Sequence, residues 1–198
     1  MREIEIKLRV EDVPGLVRKL VRLGARNEGR VLEQNTLYDT AGSDFRRTGR
    51  LLRVRIETPA GSRAVRAGKR AGLVTFKAPV PGRPSARYKE KLEWEAPLKK
   101  PKVWERWLRT LGFKPGFGYE KYRSSFWLPA VHACLDETPI GAFLELEGSP
   151  AAIDRAARRL GYAPRDYIRA TYWELYAADC ARRGRTPRNL IFSRVKIS

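Results

Sequence analysis

Glu3-Ile4-Glu5-Ile6-Lys7 alternates charged and β-branched residues, the period of a strand with two unlike faces. Carried on to Val10, the pattern puts Glu3, Glu5, Lys7 and Arg9 on one face and Ile4, Ile6, Leu8 and Val10 on the other. A strand of this kind ordinarily turns its apolar face to a core and its charged face to water.

The same layout recurs along the chain. Leu51-Leu52-Arg53-Val54-Arg55-Ile56 sets two arginines on one face, and Leu73-Val74-Thr75-Phe76-Lys77 presents a lysine. Arg87, Lys89, Lys91, Glu93 and Glu95 occupy alternate positions, Lys121-Tyr122-Arg123 repeats the arrangement, and Phe143-Leu144-Glu145-Leu146-Glu147 ends it with two carboxylates. An open sheet would leave these charges in solvent. A sheet closed into a barrel would turn them inward around a wet tunnel. A lumen rich in Lys and Arg with a few Glu suits a polyanion bound together with a divalent cation.

Composition sets the outer bounds. The 198 residues suit one large or two small domains, and 42% hydrophobic residues suffice for a core. The formal net charge of +19 points to an anionic partner, without choosing among nucleic acid, an acidic membrane and small phosphorylated compounds. Cys134 and Cys180 have neither zinc-site nor disulfide-framework spacing, which makes a reducing cytoplasm the default. The chain starts directly on a strand, and no apolar run has membrane-spanning length, so no membrane partner is expected.

In chain order, Asp12 caps a helix that Gly24 stops, and an extended segment covers Asn27 to Tyr38. Ser43 to Arg47 forms a helical turn. Residues 58–72 read as a mobile basic loop carrying Arg63, Arg66, Lys69 and Arg70. A charged strand from Arg87 to Glu95 precedes a helix with Val103, Trp104, Trp107, Leu108 and Leu111 facing inward. Gly116–Gly118 lead into the Lys121 strand, which Pro129 breaks; Tyr119, Tyr122, Phe126 and Trp127 read as wall residues. A hairpin follows over Val131–Asp136 and Ala142–Glu147, then a helix from Ser149-Pro150 to Gly161 and a last helix over Asp166–Ala181. The tail from Arg182 has six Lys or Arg and no acid, and reads as disordered. His132 alternates with Cys134 and Asp136, and its plain reading is a packed or surface residue; Cys134 reads as an inert buried thiol. The order of elements gives one α+β domain.

Glu3-x-Glu5-x-Lys7, followed in order by Arg53-x-Arg55, Thr75-Phe76-Lys77, Glu93-x-Glu95, Lys121-x-Arg123, Leu135-Asp136, Gly141-x-Phe143, Glu145-x-Glu147 and Thr171-Tyr172-Trp173-Glu174-Leu175, resembles the CYTH family. That family includes class IV adenylyl cyclases and thiamine triphosphatases, and its members are also called triphosphate tunnel metalloenzymes. The resemblance covers residues 1–181 and leaves 182–198 as a basic C-terminal tail. It implies a closed eight-stranded antiparallel β-barrel with flanking helices, binding a triphosphate with Mg2+ or Mn2+. By position it places Glu145 and Glu147 on the metal with Asp136 as a helper, and gives Glu3 and Glu5 a second metal or the attacking water. Lys7, Arg53, Arg55, Lys77, Lys91, Lys121 and Arg123 would grip phosphate oxygens. Lys91 stands where the family usually carries an arginine, which loses a planar fork. The usual basic residue near the C-terminus has Arg169 as its candidate. A homodimer is a further expectation of the family.

The chemistry agrees with the resemblance. Phosphoryl transfer needs positioning and charge neutralisation more than a nucleophilic side chain, and neither a Ser, Cys or His constellation nor a Walker-type loop is present. The first expectation is a metal-dependent phosphohydrolase acting on inorganic triphosphate, thiamine triphosphate or a nucleoside triphosphate. The alternatives are a class IV adenylyl cyclase converting ATP to cyclic AMP and pyrophosphate, and a non-catalytic polyphosphate- or nucleic-acid-binding protein. Specific nucleic-acid binding does not need carboxylates set among its cations.

Overall fold

β1 (Arg2–Val10) forms as its alternation requires, but both faces are buried. Ile6, Leu8 and Val10 pack outward, while Glu3, Glu5 and Lys7 are no more than 8% exposed on the other side. Closure of the sheet makes this possible. The computed structural model describes residues 1–60 and 71–193. Besides β1 it contains β2 (Arg26–Asp39), β3 (Leu51–Pro59), β4 (Ala71–Pro79), β5 (Lys89–Leu98), β6 (Lys114–Leu128), β7 (Val131–Thr138) and β8 (Gly141–Gly148). They close antiparallel in the order β1-β5-β4-β3-β2-β6-β7-β8, with β8 returning to β1. The eight-stranded α+β barrel expected from the resemblance is the observed fold.

The apolar core lies between the barrel wall and its helices. α1 (Val13–Arg22) starts at Asp12, whose carboxylate accepts from the Gly15 amide at 2.8 Å. α4 (Pro150–Leu160) starts at Ser149 and ends at Gly161, whose φ of 97° suits a residue without Cβ. Leu16 and Leu20 of α1 and Ile153, Ala157 and Leu160 of α4 pack on Ile6, Leu8, Leu144 and Leu146 of the wall. Burial on this outer side drives closure, and it leaves the inner face to the charges.

α3 (Pro101–Thr110) departs from its expected packing. Only Leu108 is buried, beside Tyr38, Val54 and Leu98. Trp104 and Trp107, expected in the core, are 47% and 63% exposed, and Val103 and Leu111 also face out. One helix laid on a convex barrel buries only a narrow stripe, and the apolar arc of α3 is wider than that. Trp127 is likewise exposed, lying over His132 at 4.6 Å between ring centroids.

Two edges of the barrel are completed by chain outside the strands. β5 leaves β1 unpaired beyond Glu5, and Ile168 takes up Lys7 there with two backbone hydrogen bonds of 2.8 and 3.2 Å. That pairing, after a 3-10 turn at Pro164–Asp166, delays the last helix, so α5 covers Tyr172–Arg182 instead of starting near Asp166. β7 likewise leaves β6 unpaired before Tyr122. Leu190 closes this edge, donating to the Gly118 carbonyl at 2.9 Å and accepting from the Glu120 amide at 2.8 Å. The expected disorder after Ala181 therefore does not extend to this segment: Leu190 is 2% exposed and Phe192 packs on Tyr122. Gly116–Gly118 lie within β6 and not ahead of it. Arg87 precedes β5 and binds Asp154 of α4 at 3.1 Å. α2 is the short turn Asp44–Arg47. The four basic residues expected in the 58–72 loop fall on 61–70, outside the described residues.

Candidate active site

The lumen is a cavity of about 1120 Å3. Glu3, Glu5, Lys7, Arg53, Arg55, Lys77, Lys91, Lys121, Arg123, Glu145 and Glu147 all line it. Of the residues singled out in the sequence for the site, Asp136 and Arg169 are absent from its lining. Cations arrive from β1, β3, β4, β5 and β6, so side chains far apart in sequence meet only because the sheet closes.

Asp136 lies in the wall with no exposure and is fully engaged. Its carboxylate accepts from Lys121 Nζ at 2.7 Å, from Arg123 Nε and Nη2 at 2.7 and 2.6 Å, and from the Tyr172 hydroxyl at 2.7 Å. Glu33, equally buried, backs the same cations, at 3.1 Å from Arg55 and 3.5 Å from both Lys121 and Arg123. These two acids hold the β3 and β6 cations in place from behind.

Around the open lumen the charges lean on one another. Lys77 Nζ donates to both Glu3 oxygens, at 2.8 and 2.6 Å, and stands 3.0 Å from Glu93. Lys89 reaches Glu5 at 2.6 Å, and Lys7 lies 3.0 Å from Glu145, which Arg123 also contacts. Arg53 donates to Thr75 at 3.0 Å and to the Tyr119 hydroxyl at 3.3 Å. Lys91 is turned to the Gly49 carbonyl at 2.9 Å, at the rim of the cavity. Arg169 binds the Ala86 carbonyl at 3.3 Å and does not line the cavity.

The protonation states follow from this packing. Burial, with Glu5 nearby, pushes Glu3 up to about 8 against the pull of Lys77. Burial raises Glu147 too, helped by Glu93 and Glu5. Burial would also raise Glu5, but Lys89 outweighs it and holds the group down at about 2. Glu145 is kept well below its usual range, since Lys7, Lys121 and Arg123 together overcome its burial. Burial lowers His132, and Arg123 adds to the effect. Cys134, pushed up to about 11 by burial, is an inert thiol as expected.

Sequence reasoning gave no site role to Lys89, Glu93, Glu95, Tyr172 or Glu33. The first three sit on the alternating run that also carries Lys91, where parity turns them inward with it, and all three line the cavity. Glu33 had no such signal: its strand reads Val31-Leu32-Glu33-Gln34-Asn35 without alternation, and only the register opposite Lys121 brings it to the cluster.

The CYTH domain family profile matches residues 1–172. A Methanocaldococcus jannaschii protein, named "Putative adenylate cyclase MJ0240", is 26% identical over 88% of this chain and 98% of its own. A Pyrococcus horikoshii protein of known structure is also 26% identical, with a TM-score of 0.71 over 87% of this chain and 98% of its own. At 17% identity, a Hippeastrum adenylyl cyclase candidate described as having a dominant triphosphatase activity shares the fold, with a TM-score of 0.56 over 93% of this chain and 97% of its own. A barrel whose inward charges fall in the order of that family's motifs, and a profile match reaching from the first residue into α5, lead to one assignment: the chain belongs to the CYTH family.

Proposed function

We propose that the lumen binds the triphosphate group of a small molecule and hydrolyses it with the help of a divalent cation. The observation that carries this reading is the convergence of Lys and Arg from five strands, those of β1 and β3 and Lys121 of β6 buried, on one cavity that also holds carboxylates. Among the described residues Arg53 Nε is buried without a hydrogen-bond partner, a donor left over for an incoming acceptor.

The donor set fits Mg2+ or Mn2+, which prefer hard oxygen ligands. Burial and neighbouring acids raise both Glu3 and Glu147, and a cation among them would relieve that crowding. Among the described residues no three acids, His or Cys stand ready-made around a metal position, because the lysines occupy them. Binding would then be an exchange of partners, with the glutamates released to hold the cation and the lysines to hold the phosphate oxygens. Glu145 and Glu147 would hold the cation, with Glu3 and Glu5 beside them. When bound, it supplies charge neutralisation on the phosphoryl oxygens. Lys7, Lys77, Lys89, Arg53, Arg55, Lys121 and Arg123 bind and align the chain of phosphates through charge-assisted hydrogen bonds. Glu5, ionised at neutral pH, is suited to accept a hydrogen bond from the attacking water. Asp136 and Glu33 keep the β6 cations in position.

The name of the Methanocaldococcus jannaschii relative favours a second reading, in which a ribose hydroxyl attacks the α-phosphate of ATP. A panel of inorganic, thiamine and nucleoside triphosphates with Mg2+ and Mn2+ separates the two. Phosphate release without cyclic AMP supports hydrolysis. Cyclic AMP with pyrophosphate overturns it for cyclisation, and no product from any substrate overturns both.

A further inference from the structure

The cavity changes character beyond Arg53. Its volume of about 1120 Å3 slightly exceeds the ~300–1,000 Å3 of sites that enclose a whole small organic molecule. From the Tyr119 hydroxyl, which accepts from Arg53, an aromatic wall runs outward. Tyr119 stacks on Phe117 with centroids 5.6 Å apart, and Phe117 meets Trp173 edge-on at 5.0 Å. The Arg46 guanidinium lies over the Trp173 ring at 5.2 Å.

The C-terminal segment completes this end. Asn189 Oδ1 accepts from the Gly118 amide at 2.9 Å, and Leu190 is fixed to β6 on either side of Tyr119. A Cβ on Gly118 would meet Asn189 Oδ1 at 3.3 Å, so the close approach depends on glycine. The docking brings Pro187 and Arg188 to the cavity wall, and both lie beyond the 1–172 span that the family profile matches.

The acids at this end are already engaged. Asp39 accepts from the amides of Thr40, Phe45 and Arg46 at 2.8, 2.9 and 3.0 Å. Glu174 accepts from the Thr171 amide and hydroxyl at 2.7 and 2.8 Å. What remains for a ligand is the aromatic surface that Arg46 leaves uncovered and the guanidinium groups of Arg46, Arg50 and Arg188. Such a surface suits a flat ring rich in hydrogen-bond acceptors.

We propose that this aromatic end is a base-binding subsite, with Trp173 as the stacking platform and Arg188 as a specificity-determining donor, so that the triphosphate taken into the tunnel belongs to a nucleotide. This rests on the reading of the lumen as a triphosphate site. Trp173→Ala removes the platform. Arg188→Ala changes an exposed residue that does not carry the docking of its segment.

Calorimetric titration of the full-length protein and both variants with ATP, inorganic triphosphate and thiamine triphosphate, each with Mg2+, tests it. The wild type is expected to bind ATP more tightly than either of the others. Each variant is expected to lose about tenfold for ATP, the order expected when one stacking or charged partner is removed, and less than about twofold for inorganic triphosphate. Equal losses for both ligands, or no loss for either, would overturn the subsite. Binding of all three in the expected order without turnover of any would leave the subsite standing and remove hydrolysis. Binding of none would remove both.

Discussion

Lys77 donates to both carboxylate oxygens of Glu3, at 2.8 and 2.6 Å, although β5 lies between their strands. The pair is buried on both sides. A cation and an anion in one confined site satisfy each other until something binds each of them better. In the proposed reaction that something is phosphate for Lys77 and a divalent cation for Glu3.

Replacing Lys77 by Met tests the first half. The side chain keeps its length and loses its charge, and Glu3 can take up a proton instead of standing unpaired. The fold is expected to persist, by circular dichroism and thermal melting. Triphosphate affinity is expected to fall about 10- to 100-fold, the loss for one charged hydrogen-bond partner at ~1.5–3 kcal/mol. Unchanged affinity by calorimetry would count against a phosphate-binding role.

The pH dependence tests the second half. The ordinary Glu value is 4.5, and in the fold Glu3 stands at about 8. Between those values the folded state binds more protons at this group than the unfolded state does. Its contribution to stability is therefore complete below about 4.5 and declines as pH rises through 8. Glu3→Gln removes the titrating group. Urea unfolding without divalent cation should show the stability of the variant, relative to wild type, rising from pH 5 to pH 8. A constant difference across that range would show that Glu3 is not held up.

Glu145 and Glu147 should separate in stability while agreeing in activity. Glu145 is tied to Lys7 and Arg123, so Glu145→Gln leaves buried cations short of an anion and is expected to destabilise. Glu147 is raised by burial and by nearby acids, so Glu147→Gln is expected to leave the melting temperature unchanged or higher. Both are expected to lower metal-dependent turnover by about two orders of magnitude or more, as loss of charge stabilisation worth several kcal/mol implies. Full turnover in Glu147→Gln would remove it from the metal position.

What could be read in the sequence was what strand parity carries. Glu3, Glu5 and Lys7 alternate with Ile4, Ile6 and Leu8, and parity alone sorts them into lumen and wall once the barrel is closed. Closure itself came from the ordered motifs, because the same alternation fits an open sheet. Two kinds of information were out of reach. Trp104 and Trp107 have helical core spacing, yet how much of that arc a convex wall covers depends on curvature. The docking of Leu190 depends on β7 leaving β6 bare before Tyr122, a matter of relative strand length that no pattern within the tail reveals.

Asp136 is the residue whose sequence reading and position differ most. The family resemblance made it a metal helper, but its carboxylate is closed off by Lys121, Arg123 and Tyr172 and does not line the cavity. Asp136→Asn would leave two buried cations facing an amide, and breaking such a pair costs about 3–5 kcal/mol. Urea unfolding should show a loss of that size, with Tyr172→Phe costing less because only one neutral donor is removed. Mg2+ affinity, measured by titration on the fraction that remains folded, should match wild type. If Mg2+ binding fell sharply while unfolding stayed put, the carboxylate would have to turn into the lumen to hold the cation, and the β6 cations would then rest on Glu33 alone among the wall acids.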